Sequence, residues 1–324
     1  MAESICFFAS ELAQQQFPTV KPARSMQSFD LPLTLLLLLI SIPMAFSLVF
    51  WLQFLSKSER PFWLFPREIA LPSRSATLFM TGGLLILGAV VFDSAFRLQI
   101  IDQFSPPRQT SEESPQYSKA LSLSANKQFD VERELVKTQY SVALNLLVAL
   151  IGAVIIWRLP NNDRRRVGFR TDDLKGQAWY GVQGFLLAVV PVYAILAIIL
   201  PLKEADEAVH PLLRMLTEGQ LNPRFVFWAC LSSIVVAPIQ EEMLYRVLLQ
   251  EGMVSLGYRL RIAIPGIAVF FCLVHLFPDS IPLFPLAILL GLVMHFRNSF
   301  LAVVIMHMLF NAFNIMLTIL GNLL

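Results

Sequence analysis

The chain is short of charge. Asp, Glu, Lys and Arg make up only 15% of its 324 residues, against about a quarter in a soluble protein. That shortage excludes an ordinary water-soluble globule. The 56% hydrophobic share and the mean hydropathy of +0.63 point to a membrane protein instead. Net charge is only +2, so the chain has no basic excess for nucleic acid. Cysteine is scarce too: Cys6, Cys230 and Cys272 are odd in number and far apart. This excludes a disulfide framework and zinc-finger spacing. There is no repeat of fixed period, which argues against a solenoid, and no His-Glu-x-x-His pair. Histidine occurs four times, as His210, His275, His295 and His307.

What the chain has is long apolar runs. A spanning helix needs roughly 20 apolar residues. Candidates lie near residues 31–55, 76–95, 140–158, 179–201, 225–250, 262–277, 281–296 and 299–320. The expectation is an all-α fold, a polytopic transmembrane helical bundle of about eight spans. The first run, LPLTLLLLLISIPMAFSLVFWLQFL, is too long for a signal peptide and lacks a small-x-small cleavage site. It reads as a retained span. Residues 1–29 read as a polar lead, with Met26 an alternative start.

Residues 96–135 form the longest polar connection, rich in Ser, Pro and charge, and read as mobile. The stretch FDVERELVKTQYSVALNLL extends the third span as a helix above the bilayer. Two regions follow: 1–175 as an N-terminal membrane region with spans one to three, and 176–322 as a core. Short basic loops face the cytosol. Lys57, Arg60, Arg67 and Arg74, the NNDRRRVGFRTDDLKG loop, Arg259 with Arg261, and Arg297 all fall on one side of an eight-span chain. The 202–224 loop is acidic. Both termini are therefore expected outside.

Ionisable groups inside spans cost about 2.5–3.5 kcal/mol each at the helix centre on insertion scales. IQEEMLYR, residues 239–246, nevertheless ends an uncharged run with two glutamates and an arginine. Glu242 lies four residues before Arg246, on one helix face and in the favourable order. This pair reads as a brace. Glu241 is rotated about 100° away, and its i+4 neighbour is Tyr245. It has no local partner, and an apolar setting suits a carboxylate to general-base work. His275 and His307 also sit in apolar runs, with Asn311 one turn after His307. His210 lies in an acidic loop and His295 at a span end, an interfacial place.

Depths can be compared from Gly257, Ile262 and Asn298, three turn positions on one side. Glu241, His275 and His307 lie roughly 24, 20 and 14 Å from them at helical rise. One carboxylate, two imidazoles and an amide can converge within the bilayer. An interhelical hydrogen bond alone would also account for the His307–Asn311 pair.

Glu241-Glu242-x-x-x-Arg246, then Phe271-x-x-x-His275, then His307-x-x-x-Asn311 resemble, in order and spacing, the three motifs of the CPBP family. These are intramembrane endopeptidases, the CAAX prenyl protease and bacteriocin-processing group, also called Abi. The likeness covers about residues 225–320 and does not extend to residues 1–175, which read as a lineage-specific addition. It implies that Glu241 activates water, assisted by His275, that His307 and Asn311 form the oxyanion site, and that Glu242 and Arg246 support the site. It implies no cofactor. It also implies a bilayer setting and a peptide or protein substrate, lipidated at a cysteine in the best-known members. His295 departs from the familiar pattern.

The expected place is the plasma (inner) membrane, with the site open to the cytosol. A zinc protease is the alternative, with Glu241, His275 and His307 as ligands and a fourth position for water. A transporter, scaffold or immunity protein is the non-catalytic alternative.

Overall fold

The computed structural model describes residues 31–56, 77, 79–88, 117–199, 223–275 and 280–321. The 1–29 lead, the basic 57–74 loop, residues 96–116, most of the acidic 202–224 loop and His210 lie outside the described residues. Every described element is helical, as expected. The helices are α1 (Leu31–Ser56), α2 (Phe79–Gly88), α3 (Tyr117–Trp157), α4 (Asn161–Arg166), α5 (Leu174–Ile199), α6 (Pro223–Ser255), α7 (Leu260–Leu273), α8 (Leu283–Arg297) and α9 (Phe300–Gly321).

Each of the eight apolar runs carries one helix. Five helices are long and apolar enough to cross a bilayer: within α1, α3, α5, α6 and α9. The other three, α2, α7 and α8, are apolar but shorter, at 10–17 residues. The chain is an integral membrane protein. One detail departs from the sequence reading. The polar connection over 96–135 is helical from Tyr117 onward, because α3 runs unbroken from there to Trp157. Its Ala120, Leu121, Leu123 and Ala125 are good helix formers, and no proline follows Pro115 until Pro160.

α5 and α9 form the centre, packed along each other, with α8 and α1 also against α5 and α7 against α8. Phe185 and Tyr193 of α5 meet Phe313 of α9 edge to face. Tyr193 donates to Asn314 Oδ1 at 2.6 Å, so this amide serves helix packing. A proline shapes the α1–α5 seam. Pro191 has no N–H, which leaves the Leu187 carbonyl without its helical donor. The indole Nε1 of Trp51 supplies it from α1 at 3.0 Å.

The connection between α4 and α5 is tied to the turn before α9. Asn298 has a left-handed φ of 49°, and its amide donates to Arg165 O at 2.8 Å. Phe300 N donates to Gly168 O at 3.0 Å, and Phe169 stacks on Phe300. The basic α4 segment and the start of α9 therefore share one end of the bundle.

Candidate active site

α6 is not a uniform α-helix. It alternates α-helix (Pro223–Cys230), π-helix (Leu231–Val236), α-helix (Ala237–Glu242), π-helix (Met243–Gln250) and α-helix (Glu251–Ser255). A π turn pairs each carbonyl with the N–H five residues on. Ala237 N indeed donates to Ser232 O, and Glu251 N to Arg246 O. The same register would pair Ser233 O with residue 238, which is Pro238 and has no N–H. Asn311 fills that gap: its Nδ2 donates to Ser233 O at 2.7 Å. The amide thus spends one of its two N–H groups on α6.

The two glutamates end the middle α segment and differ in surroundings. Glu242 and Arg246 are wholly buried, joined Oε2 to Nε at 3.0 Å. The other Glu242 oxygen faces His307 Nδ1 at 2.8 Å, a contact across 65 positions of sequence. Sequence reasoning found the brace and missed this second bond, since nothing in residue spacing links Glu242 to α9. Glu242, ionised beside Arg246, can only accept, so His307 carries its proton on Nδ1. Nε2 is then the ring nitrogen left for chemistry. It faces Glu241 Oε2 at 3.9 Å, too far for a hydrogen bond and close enough for one water to bridge. The Glu241 side chain keeps 21% of its surface exposed, while His307 keeps 5%.

His275 lies just past the end of α7. Its Nδ1 meets Phe271 O at 2.6 Å, which again places the proton on Nδ1 and leaves Nε2 free. No ion pair within 4.0 Å joins it to Glu241 among the described residues, so the imidazole nearest Glu241 is His307. Phe271 is the common floor. Its ring lies 4.6 Å from the His275 ring, 6.0 Å from His307 and 5.2 Å from Tyr245. The Arg246 guanidinium carbon stands 5.6 Å from its centroid. All three sequence motifs therefore meet around one aromatic ring.

His295, expected at an interface, is buried. It lies one turn beyond Gly291, whose carbonyl accepts from Gln250 Nε2 at 2.9 Å, so α8 is pressed on α6 there. Among the described residues, no group of three or more His, Cys, Asp or Glu side chains is placed to hold one metal.

Residues 223–313 match the family model for Rce1-like proteins, described as type II CAAX prenyl endopeptidase Rce1-like. This stretch is similar to an Rce1-like domain. It contains every motif residue named above, from Glu241 to Asn311. No curated protein and no solved structure matches the chain. Taken with the spanning helices, the Rce1-like domain supports a CAAX-type intramembrane endopeptidase in general terms. The domain does not stand alone in the bundle. α3, outside the matched residues, packs along the first four segments of α6. Gly152 makes this approach possible, since a Cβ there would meet Met243 Cγ at 2.6 Å.

Proposed function

We propose that the protein hydrolyses a peptide bond in a membrane-associated substrate, one carrying a lipidated cysteine near its C-terminus, through water activated by Glu241 without a metal. The observation that carries this reading is the unequal fate of the adjacent glutamates. Glu242 is buried and spent on Arg246 and His307; Glu241 is partly exposed, without a Lys or Arg partner among the described residues, and 3.9 Å from an imidazole nitrogen.

In this reading Glu241 takes a proton from water, and the hydroxide attacks the scissile carbonyl. The proton passes to His307 Nε2, whose imidazolium is stabilised by Glu242 behind it, and then to the leaving amine. His275, whose ring also packs on Phe271, offers Nε2 to hold the water. The second N–H of Asn311 points the oxyanion role to the α9 side. The reading places the protein in the plasma membrane with its site open to the cytosol; the basic α4 segment, which shares an end of the bundle with Asn298, supports the cytosolic side.

The test is cleavage of a farnesylated C-terminal peptide by the purified full-length protein in nanodiscs. Glu241→Gln is expected to abolish turnover with folding intact, and a strong chelator to leave turnover unchanged. A Glu241→Gln variant as active as wild type sinks the reading. Loss of activity with chelator, restored by zinc, would favour the zinc alternative.

A further inference from the structure

We propose that the Tyr245 hydroxyl is an additional catalytic residue, donating a hydrogen bond to the carbonyl oxygen of the scissile peptide as it becomes an oxyanion. The inference rests on the hydrolase reading above and names a donor that reading lacks.

The need comes from the proton positions. His307 gives its Nδ1–H to Glu242, so Nε2 begins the cycle as a lone pair. It can donate only after taking the proton from water. Asn311 has already given one N–H to Ser233 O. The developing charge therefore meets one unspent neutral donor from this pair at the start, the second N–H of Asn311, and an oxyanion accepts more than one hydrogen bond.

Tyr245 fits that need. It is four residues after Glu241, and long helical side chains lean over the preceding turn. That leans its ring toward the turn that carries Glu241. The ring packs edge to face on Phe271, the same ring that both imidazoles touch. Tyr245 is only 2% exposed, and its contacts among the described residues are ring contacts, with the hydroxyl not committed to a backbone carbonyl of its own helix. A tyrosine hydroxyl in such a setting usually finds a partner, and the substrate carbonyl is the partner this proposal gives it. The hydroxyl only donates; no bond to it forms or breaks, and its proton stays in place.

Tyr245→Phe removes the donor and keeps the ring on Phe271. In nanodiscs with a farnesylated peptide, kcat is expected to fall roughly 100- to 1,000-fold, as for loss of one oxyanion donor. KM and the thermal midpoint should hold. Binding of a prenylated peptide phosphinate, which mimics the tetrahedral intermediate, should weaken by a similar factor, and binding of cleaved product should not change. Full turnover by Tyr245→Phe beside an inactive Glu241→Gln overturns the Tyr245 assignment and leaves the hydrolase reading standing. A lowered midpoint with equal losses of phosphinate and product binding assigns Tyr245 to packing and also overturns it. A wild-type protein that neither cleaves the peptide nor binds the phosphinate overturns the hydrolase reading, and Tyr245 with it.

Discussion

Replacing Arg246 or Glu242, singly and together, separates a brace from a working part of the site. Both side chains are fully buried and meet at 3.0 Å. Breaking a buried pair from one side costs about 3–5 kcal/mol, because the remaining charge loses its partner. The two single changes are not equivalent. Arg246→Met leaves Glu242 still bonded to His307 Nδ1 at 2.8 Å, which keeps its cost near the lower bound, about 3 kcal/mol. Glu242→Gln leaves the guanidinium without an anion. Nη1 and Nη2 of Arg246 already lack hydrogen-bond partners among the described residues, and the Phe271 ring returns only about 0.5–2 kcal/mol. Its cost should approach about 5 kcal/mol. The double variant should lose about 2 kcal/mol less than the sum of the singles, since neither charge is then stranded.

Reversible unfolding in mixed bicelles, run beside the peptide-cleavage assay, measures both terms. Turnover should stay low in the double variant even where stability recovers. A glutamine cannot hold His307 in one tautomer, and loss of such an orienting carboxylate costs up to about 10,000-fold in rate. A double variant with wild-type turnover would show that the Glu242–His307 bond is idle. Single variants costing under about 1 kcal/mol would show that water reaches the pair.

Other expectations follow from the helix contacts. Asn311→Ala leaves Ser233 O unpaired and should cost about 1–3 kcal/mol in the same unfolding assay. Adding Pro238→Ala, which restores an N–H five residues on, should recover most of that loss; no recovery would disprove the π-register account. Gly152→Leu forces a side chain into Met243 and should destabilise by about 1–3 kcal/mol, with reduced turnover because the strain falls next to Glu242. In the α4–α5 loop, the hydrogen bond from Arg170 holds the Asp172 carboxyl below its ordinary range. Its contribution is therefore present above the ordinary carboxylate pKa and lost as pH falls through the lowered one. The thermal-midpoint difference between wild type and Asp172→Asn should be small and flat above about pH 5 and vanish in stronger acid.

Much of the architecture could be read from hydropathy because a bilayer allows few solutions. Eight apolar runs became eight helices, and Gly257 and Asn298, expected as turns, both adopt positive φ. The Glu242–Arg246 pair was readable because i,i+4 spacing is a local rule. The Glu242–His307 bond was not, since spacing on one helix says nothing about which face of another it meets. The π segments were hidden for a related reason. Their hydrogen bonds depend on packing against α9 and α3, while the residues of α6 have no composition that demands a π turn. In retrospect one signal was present. A proline within a span strands a carbonyl, and the chain holds a donor for it elsewhere: Trp51 for the Pro191 gap and Asn311 for the Pro238 gap. Searching for polar side chains to match buried prolines would have given Asn311 a structural task before any catalytic one.

That double duty bears on why two glutamates stand side by side. Successive residues on a helix point about 100° apart, so a Glu-Glu pair at a bundle centre cannot have both carboxylates in one place. One must turn into protein, where it needs a cation, and the other can turn to a water-accessible gap. Arg246 sits one turn from Glu242, which selects Glu242 for the buried place. His307 stands between them, with Nδ1 on the buried carboxylate and Nε2 towards the partly exposed one. The buried glutamate thus sets the protonation of the ring that the other glutamate faces. Exchanging the order of charges, by moving the arginine to position 245 to pair with Glu241, should transfer the buried role and silence the site while keeping the same net charge. Retained cleavage in that Tyr245→Arg, Arg246→Tyr variant would mean that either carboxylate can serve, and the division of labour argued from the geometry would fail.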